Sequence, residues 1–265
     1  RVSRGLGDVY KRQICIYEYV GTNMNKEKLL YQYDNSKHAL QSDNIIAITN
    51  RHLCSRPFME QLERVCKLHP HAIVLREKDM PEAEYLSLAR DVIALCKKYD
   101  VQCMLHSFIN VAMELEHPYI HLPLPILEAY VKKNVSGNIS TGMSKSTDNY
   151  QQFFKVIGTS VHSVEDAIKA EQLGATYMTA GHIFATDCKK GLPPRGLDFL
   201  KNVCDAVGIP VYAIGGINIA SSDDSTASDA PPAYDAMPDI SVPRLADVME
   251  CGAAGGCIMS GMMRV

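Results

Sequence analysis

Little in this chain of 265 residues marks it for a membrane or for nucleic acid. No run approaches the roughly 18 consecutive apolar residues that a spanning helix requires, and no stretch shows the apolar core and small-residue cleavage site of a secretory signal. Neither sign of charge dominates: 27 basic against 30 acidic side chains leave a formal charge of −3. No broad cationic face for nucleic acid or anionic lipid follows from that balance, and the expectation is a soluble, cytoplasmic protein with neither partner. The nine cysteines include no C-x-x-C pair, which argues against a zinc knuckle, a thioredoxin motif or a disulfide framework. Most read as small core residues in a reducing compartment. H-E-x-x-H and the phosphate loop G-x-x-x-x-G-K-[ST] are also missing, so spacing signals no metal. His69 and His71, either side of Pro70, read as surface residues.

Arg1 to Gln13 has no hydrophobic periodicity, and its second half, DVYKRQ, is what a common transposon end encodes in frame; it is expected to be a sequencing artefact. Residues 14–44 read as an extension of uncertain order, with Met24 as a plausible start. Residues 45–265 form the expected domain, and it stops just after an apolar stretch.

Within that domain, short β-branched runs alternate with longer amphipathic ones, the pattern of successive βα units on a parallel sheet. Strands are predicted at 45–50, 72–77, 102–106, 119–122, 154–159, 175–180, 211–215 and 255–259. Eight such units without G-x-G-x-x-G after the first strand suit a (β/α)8 TIM barrel better than an open doubly wound sheet, here one lacking its last helix. The strip beside Ile258 is therefore expected to lie partly open. Asp79 and Glu82 read as a capping box opening a helix with apolar positions Tyr85, Leu88, Ala89, Val92, Leu95 and Cys96. Ser163 and Asp166 open the helix that carries Ala167, Ala170 and Leu173. Residues 134–152 and 218–243 are polar and read as flexible loops. The aspartates of the second do not match a calcium loop.

Barrels of this kind place chemistry at the carboxyl ends of their strands, with phosphate after strands seven and eight. Strand seven runs into Gly215-Gly216 and strand eight into Ser260-Gly261, where backbone N–H groups can approach an anion. After strand six, His182 stands beside Thr186 and Lys189. It can be read as a proton carrier or as a hydrogen-bonded structural histidine. After strand two, Arg76, Glu77 and Lys78 bring charge to a strand end, and Glu77 can be read as one half of an internal ion pair.

The combination of LREKD at 75–79, GTSVHS at 158–163, GHIFATDCKKG at 181–191 followed by PPRGL, AIGGI at 213–217 and GAAGGCIMSG at 252–261 resembles the thiamine phosphate synthase superfamily. Within it, the chain is most similar to the thiazole tautomerase (TenI-type) branch. The match runs in collinear order over about residues 45–263. Synthases of the superfamily resemble one another in an Asn-Asp pair after strand three and an Asp after strand four, which hold Mg²⁺. This chain has His106-Ser107 and Leu122-Pro123-Leu124-Pro125 there, and has His182 where the synthases tend to have proline.

The resemblance implies a TIM-barrel isomerase without cofactor or metal, acting in thiamine biosynthesis on a small-molecule thiazole phosphate, with a homodimer as a possible assembly. It would convert the thiazole tautomer phosphate to aromatic carboxythiazole phosphate. His182 becomes the implied acid/base. Arg76, Lys78 and Lys189 become candidates for the substrate's carboxylate or phosphate, and Gly215, Gly216, Ser260 and Gly261 for a phosphate cradle. Ser160 and Thr186 are further substrate-binding candidates. Two other readings stand beside it: a thiamine phosphate synthase joining pyrimidine pyrophosphate to thiazole phosphate, and a non-catalytic regulatory barrel.

Overall fold

A computed structural model describes residues 43–136, 153–220 and 241–265. Eight strands close into a parallel barrel in sequence order: β1 Ile45–Ile48, β2 Ala72–Leu75, β3 Gln102–His106, β4 Tyr119–Pro123, β5 Val156–Val161, β6 Tyr177–Gly181, β7 Val211–Ile214 and β8 Gly255–Ile258. β8 pairs with β1 through Ala47 and Ile258, so no strand is left with an open edge. The helices are α1 Phe58–Lys67, α2 Glu82–Lys98, α3 Ile109–Glu114, α4 Leu124–Ser136, α5 Val164–Gln172, α6 Gly196–Ala206 and α7 Leu245–Glu250. The (β/α)8 expectation therefore holds, with each predicted strand within about two residues of its place.

Parallel strands under a ring of helices are buried on both faces, which is why they read as continuous apolar runs such as IIAI and AIVL. The two faces nevertheless build separate cores. Alternate residues Ile45, Ala47, Ile73, Leu75, Leu105 and Ile120 pack outward against the helices. Ile46, Ile48, Ala72, Val74, Met104, Tyr177, Tyr212 and Cys257 fill the barrel itself.

Three local expectations change and one holds. Asp79 does not cap α2: the helix begins after Pro81, with no side-chain cap, because the Asp79 carboxylate is taken by Arg51 at 2.8 Å and His52 at 2.9 Å. Ser163 does cap α5, accepting from the Asp166 N–H at 3.0 Å. His71 is half-buried and stacked on Tyr212 at 5.7 Å, so it is not a surface residue, and burial holds its pKa below the usual value. No open strip lies beside Ile258, which is buried together with Met262 and Met263. The Gln61 amide of α1 donates to the Met262 carbonyl at 2.8 Å, which seats that turn.

Of the first polar segment, residues 134–136 belong to α4. The described ends of the second meet, with the Ala220 N–H donating to the Ser241 carbonyl at 2.8 Å. The loop readings for the rest, and those for residues 1–42, lie outside the described residues. Of the cysteines, Cys66, Cys96, Cys103, Cys204 and Cys257 are buried free thiols, while Cys54 and Cys251 are half-buried.

Candidate active site

The carboxyl ends of the strands form the barrel mouth, and its two sides are built differently. On the β2 side, Glu77 is almost wholly buried, at 2% exposure. It accepts from the Thr49 hydroxyl at 2.7 Å and from the Arg51 guanidinium at 3.0 Å. Thr49 in turn accepts from the Arg76 backbone N–H at 2.9 Å. Glu77 is thus the internal ion pair that one reading of the sequence gave it, and it anchors the backbone from which Arg76 and Lys78 project. The Arg76 charge, then burial, then Lys189 pull the Lys78 amine below its usual pKa. Three of the sequence candidates, Arg76, Lys78 and Lys189, therefore lie within one electrostatic neighbourhood, an arrangement of like charges that an anion would relieve.

On the opposite side, His182 follows β6 in a loop that closes on the end of β7. Ile183 N–H donates to the Ile214 carbonyl at 2.8 Å and Phe184 N–H to the Gly215 carbonyl at 3.1 Å. A Cβ on Gly215 would lie 2.4 Å from the His182 Cβ, and its φ of +100 also favours glycine. One on Gly216 would lie 2.5 Å from the Ala185 carbonyl oxygen. These two glycines thus let the histidine loop sit directly on the β7 loop. Gly216 also receives the Arg244 guanidinium on its carbonyl at 2.9 Å.

A cleft of about 460 Å³ opens beside this contact, lined by His162, Gly181, His182 and Lys189 and lipped by the segment Leu192 to Arg195. His182 is half-buried, and its Nε2 lies 3.4 Å from the Leu192 carbonyl, a long contact that leaves the ring weakly held. Lys189 ends the 3-10 turn Asp187–Lys189, which follows Thr186. Thr186 does not line the cleft. Ser260 and Gly261 lie in the turn after β8, where a Cβ on Gly261 would approach the Ile219 backbone N at 3.2 Å. They border the β7 loop and are not among the residues lining the cleft.

Ser160 takes a different place from the one expected of a substrate hydroxyl. It faces the barrel interior, bonded to His121 Nε2 at 2.9 Å and accepting from Thr179 at 3.0 Å. His121 Nδ1 meets the Tyr177 hydroxyl at 2.8 Å. The His121 ring stacks with His106 at 5.7 Å between centroids, and Ser107 meets His106 Nδ1 at 2.8 Å. Burial, then His121 and the cations Arg76 and Lys78, push His106 down to about 3. Burial, then Arg76, pushes His121 down to about 4. Both imidazoles are therefore neutral at physiological pH. The sequence did not single them out as site residues, because in a parallel strand buried on both faces alternation does not separate the interior from the helix side. A histidine flanked by residues of the outer core was the available signal.

Among the described residues, no group of three or more His, Cys, Asp or Glu could hold a metal ion, and no helix is long and apolar enough to cross a membrane.

A protein of Aquifex aeolicus, provisionally named thiamine-phosphate synthase 2, is 34% identical over 67% of this chain and 87% of its own length. The thiamine-phosphate synthase of Caldanaerobacter subterraneus is 30% identical over 66% and 75%. The solved thiamine phosphate pyrophosphorylase of Pyrococcus furiosus superposes with a TM-score of 0.58 at 24% identity, covering 86% of this chain and 90% of that one, and supports the fold. These names favour the transferase reading over the isomerase. The family model described as thiamine monophosphate synthase matches residues 45–233, and the chain belongs to that family.

Proposed function

We propose that the protein is a thiazole tautomerase in thiamine biosynthesis, which moves one proton on a thiazole tautomer phosphate to give the aromatic carboxythiazole phosphate. The observation that supports this reading is His182, placed in the wall of the cleft with Lys189, whose charge also reaches Lys78. An imidazole is the side chain whose ordinary range spans neutral pH, and one such base can serve both halves of the reaction. It takes the proton from the sp³ ring carbon; the pair left behind enters the ring as the exocyclic double bond moves inward. The imidazolium then returns the proton to the exocyclic carbon. Lys189, Arg76 and Lys78 hold the anionic groups so that the ring faces His182, each charge-assisted bond contributing about 1.5–3 kcal/mol. The glycine-built β7 loop and the turn at Ser260 and Gly261 offer backbone to the phosphate.

The second reading is a thiamine phosphate synthase, favoured by the names of the relatives. That reaction calls for magnesium, which takes carboxylate and phosphate oxygens. At the ends of β3 and β4 this chain offers a neutral imidazole, a serine hydroxyl and prolines. This donor set does not fit the ion, and no step is derived through it. Incubation with the thiazole tautomer phosphate, followed by the rise of the aromatic chromophore, tests the proposal. Aromatisation that persists in excess chelator is expected. Magnesium-dependent formation of thiamine phosphate from the pyrimidine pyrophosphate and thiazole phosphate would overturn it, and inactivity in both assays would leave the non-catalytic barrel.

A further inference from the structure

His162 lies in the same cleft as His182, and the proton shift above gives it no task. It stands between the end of β5 and Ser163, the cap of α5, so its backbone is fixed on both sides. Val161 pairs with Ala180 in the β5 to β6 register, which sets the next residue, His162, level with Gly181. Its Nδ1 lies 2.7 Å from the Gly181 carbonyl oxygen. A carbonyl can only accept, so Nδ1 carries the proton whether the ring is neutral or charged.

The other restraints on this stretch come from backbone. The Arg195 N–H donates to the His182 carbonyl at 2.9 Å, and the Ile183 N–H to Ile214 at 2.8 Å. Gly215 leaves the space beside the Cα and Cβ of His182 that any Cβ at that position would invade. The carbonyl of Gly181, one peptide before His182, is held on its β5 side by the His162 ring. We propose that His162 is a positioning residue: by donating Nδ1–H to the Gly181 carbonyl it fixes the peptide from which the His182 imidazole projects, and so sets that ring's aim into the cleft. This rests on the assignment of His182 as the proton carrier.

Two amide substitutions separate the roles of the two ring nitrogens. The Asn amide of H162N can reproduce the donor at Nδ1, whereas the longer amide of H162Q places its polar group near Nε2. If His162 positions, H162Q lowers kcat for aromatisation by about 10²-fold, as expected for a misaimed group, with KM little changed, and H162N recovers most of that loss. Melting temperatures close to that of the unsubstituted protein in both variants exclude a general loss of fold. The opposite order, with H162Q active and H162N inactive, would give the task to a hydrogen bond at Nε2 and overturn the proposal, as would an equal loss in both, the mark of a proton carrier, or equal activity of both with the parent.

A second readout does not depend on the substrate. In ¹⁵N NMR the His182 ring should give one set of resonances in the parent and in H162N, and exchange-broadened ones in H162Q. If the parent fails to aromatise the tautomer, the proposed function falls, and these spectra alone decide the positioning role. Unaltered His182 resonances in H162Q would refute it.

Discussion

On the β2 side of the mouth, Arg76 and Lys78 are carried by a segment whose anchor is a buried carboxylate, with Glu77 accepting from Thr49 and Arg51 at once. On the β6 and β7 side, His182 is carried by a segment held mostly by peptide groups and by the close approach of Gly215. The first arrangement depends on charge and responds to its loss. The second depends on shape; it does not titrate, and it leaves no room for an added atom. A cation that must only be near an anion tolerates the looser support, whereas a base that must meet a particular carbon needs the stiffer one.

The strongest test of that contrast is His182→Asn. It should leave phosphate affinity and fold intact while kcat falls by about 10² or more; unchanged turnover would remove His182 from the chemistry. Next comes Gly215→Ala, whose Cβ would meet the His182 Cβ at 2.4 Å. A fall in kcat of about 10²-fold with KM little altered is expected, and a crystal structure or NMR should show the histidine displaced. Activity equal to the parent would show that shape does not hold this side.

Glu77→Gln tests the other side. It keeps an acceptor and removes the charge, so a loss of about 2 kcal/mol in urea melts is expected, less than the ~3–5 of a fully buried pair because Arg51 still reaches water. KM for the phosphate substrate should rise as the Arg76 to Lys78 segment loosens, while kcat changes little. A fall in kcat with unchanged KM would contradict the division of labour between the two sides.

The last test concerns the histidines that lie between the sides. His106 and His121 have folded pKa values near 3 and 4, below the roughly 6.5 of an unfolded chain. Between those values the unfolded state binds more protons, so stability is complete above about pH 6.5 and is lost as pH falls. The slope is at most about 1.4 kcal/mol per pH unit for each ring. Denaturant melts from pH 7 to pH 5 should show it, and His121→Gln should flatten it. An unchanged slope in that variant would place the titration elsewhere.

Eight strands were legible because β-branched runs separated by amphipathic stretches admit few other architectures, and strand ends were legible to about two residues. Strand one was predicted to reach residue 50, yet β1 ends at Ile48, since Thr49 turns its hydroxyl to Glu77 and the Arg76 N–H. The capping role given to Asp79 failed for a related reason: a short motif cannot show that a carboxylate has a better partner 28 residues earlier. The glycines at 215 and 216 were legible as places of close approach, but the sequence could not show that the His182 loop is one of the close neighbours. His162 lies within GTSVHS, where nothing in the residue pattern marks it for a role. Its partner is a backbone carbonyl on the next strand, and no residue type marks that.

The barrel's two-part interior also bears on isotope labelling. Ser107 bonds His106, and His121 bonds Tyr177 and Ser160, which accepts from Thr179, but the two imidazoles meet only by stacking. That face-to-face break gives a proton no hydrogen-bonded step from one ring to the other. His182 stands at the mouth, half-exposed. Under the proposed reaction, turnover in heavy water would write deuterium into the exocyclic carbon of the product as fast as the His182 ring trades its hydrogen with the water above it.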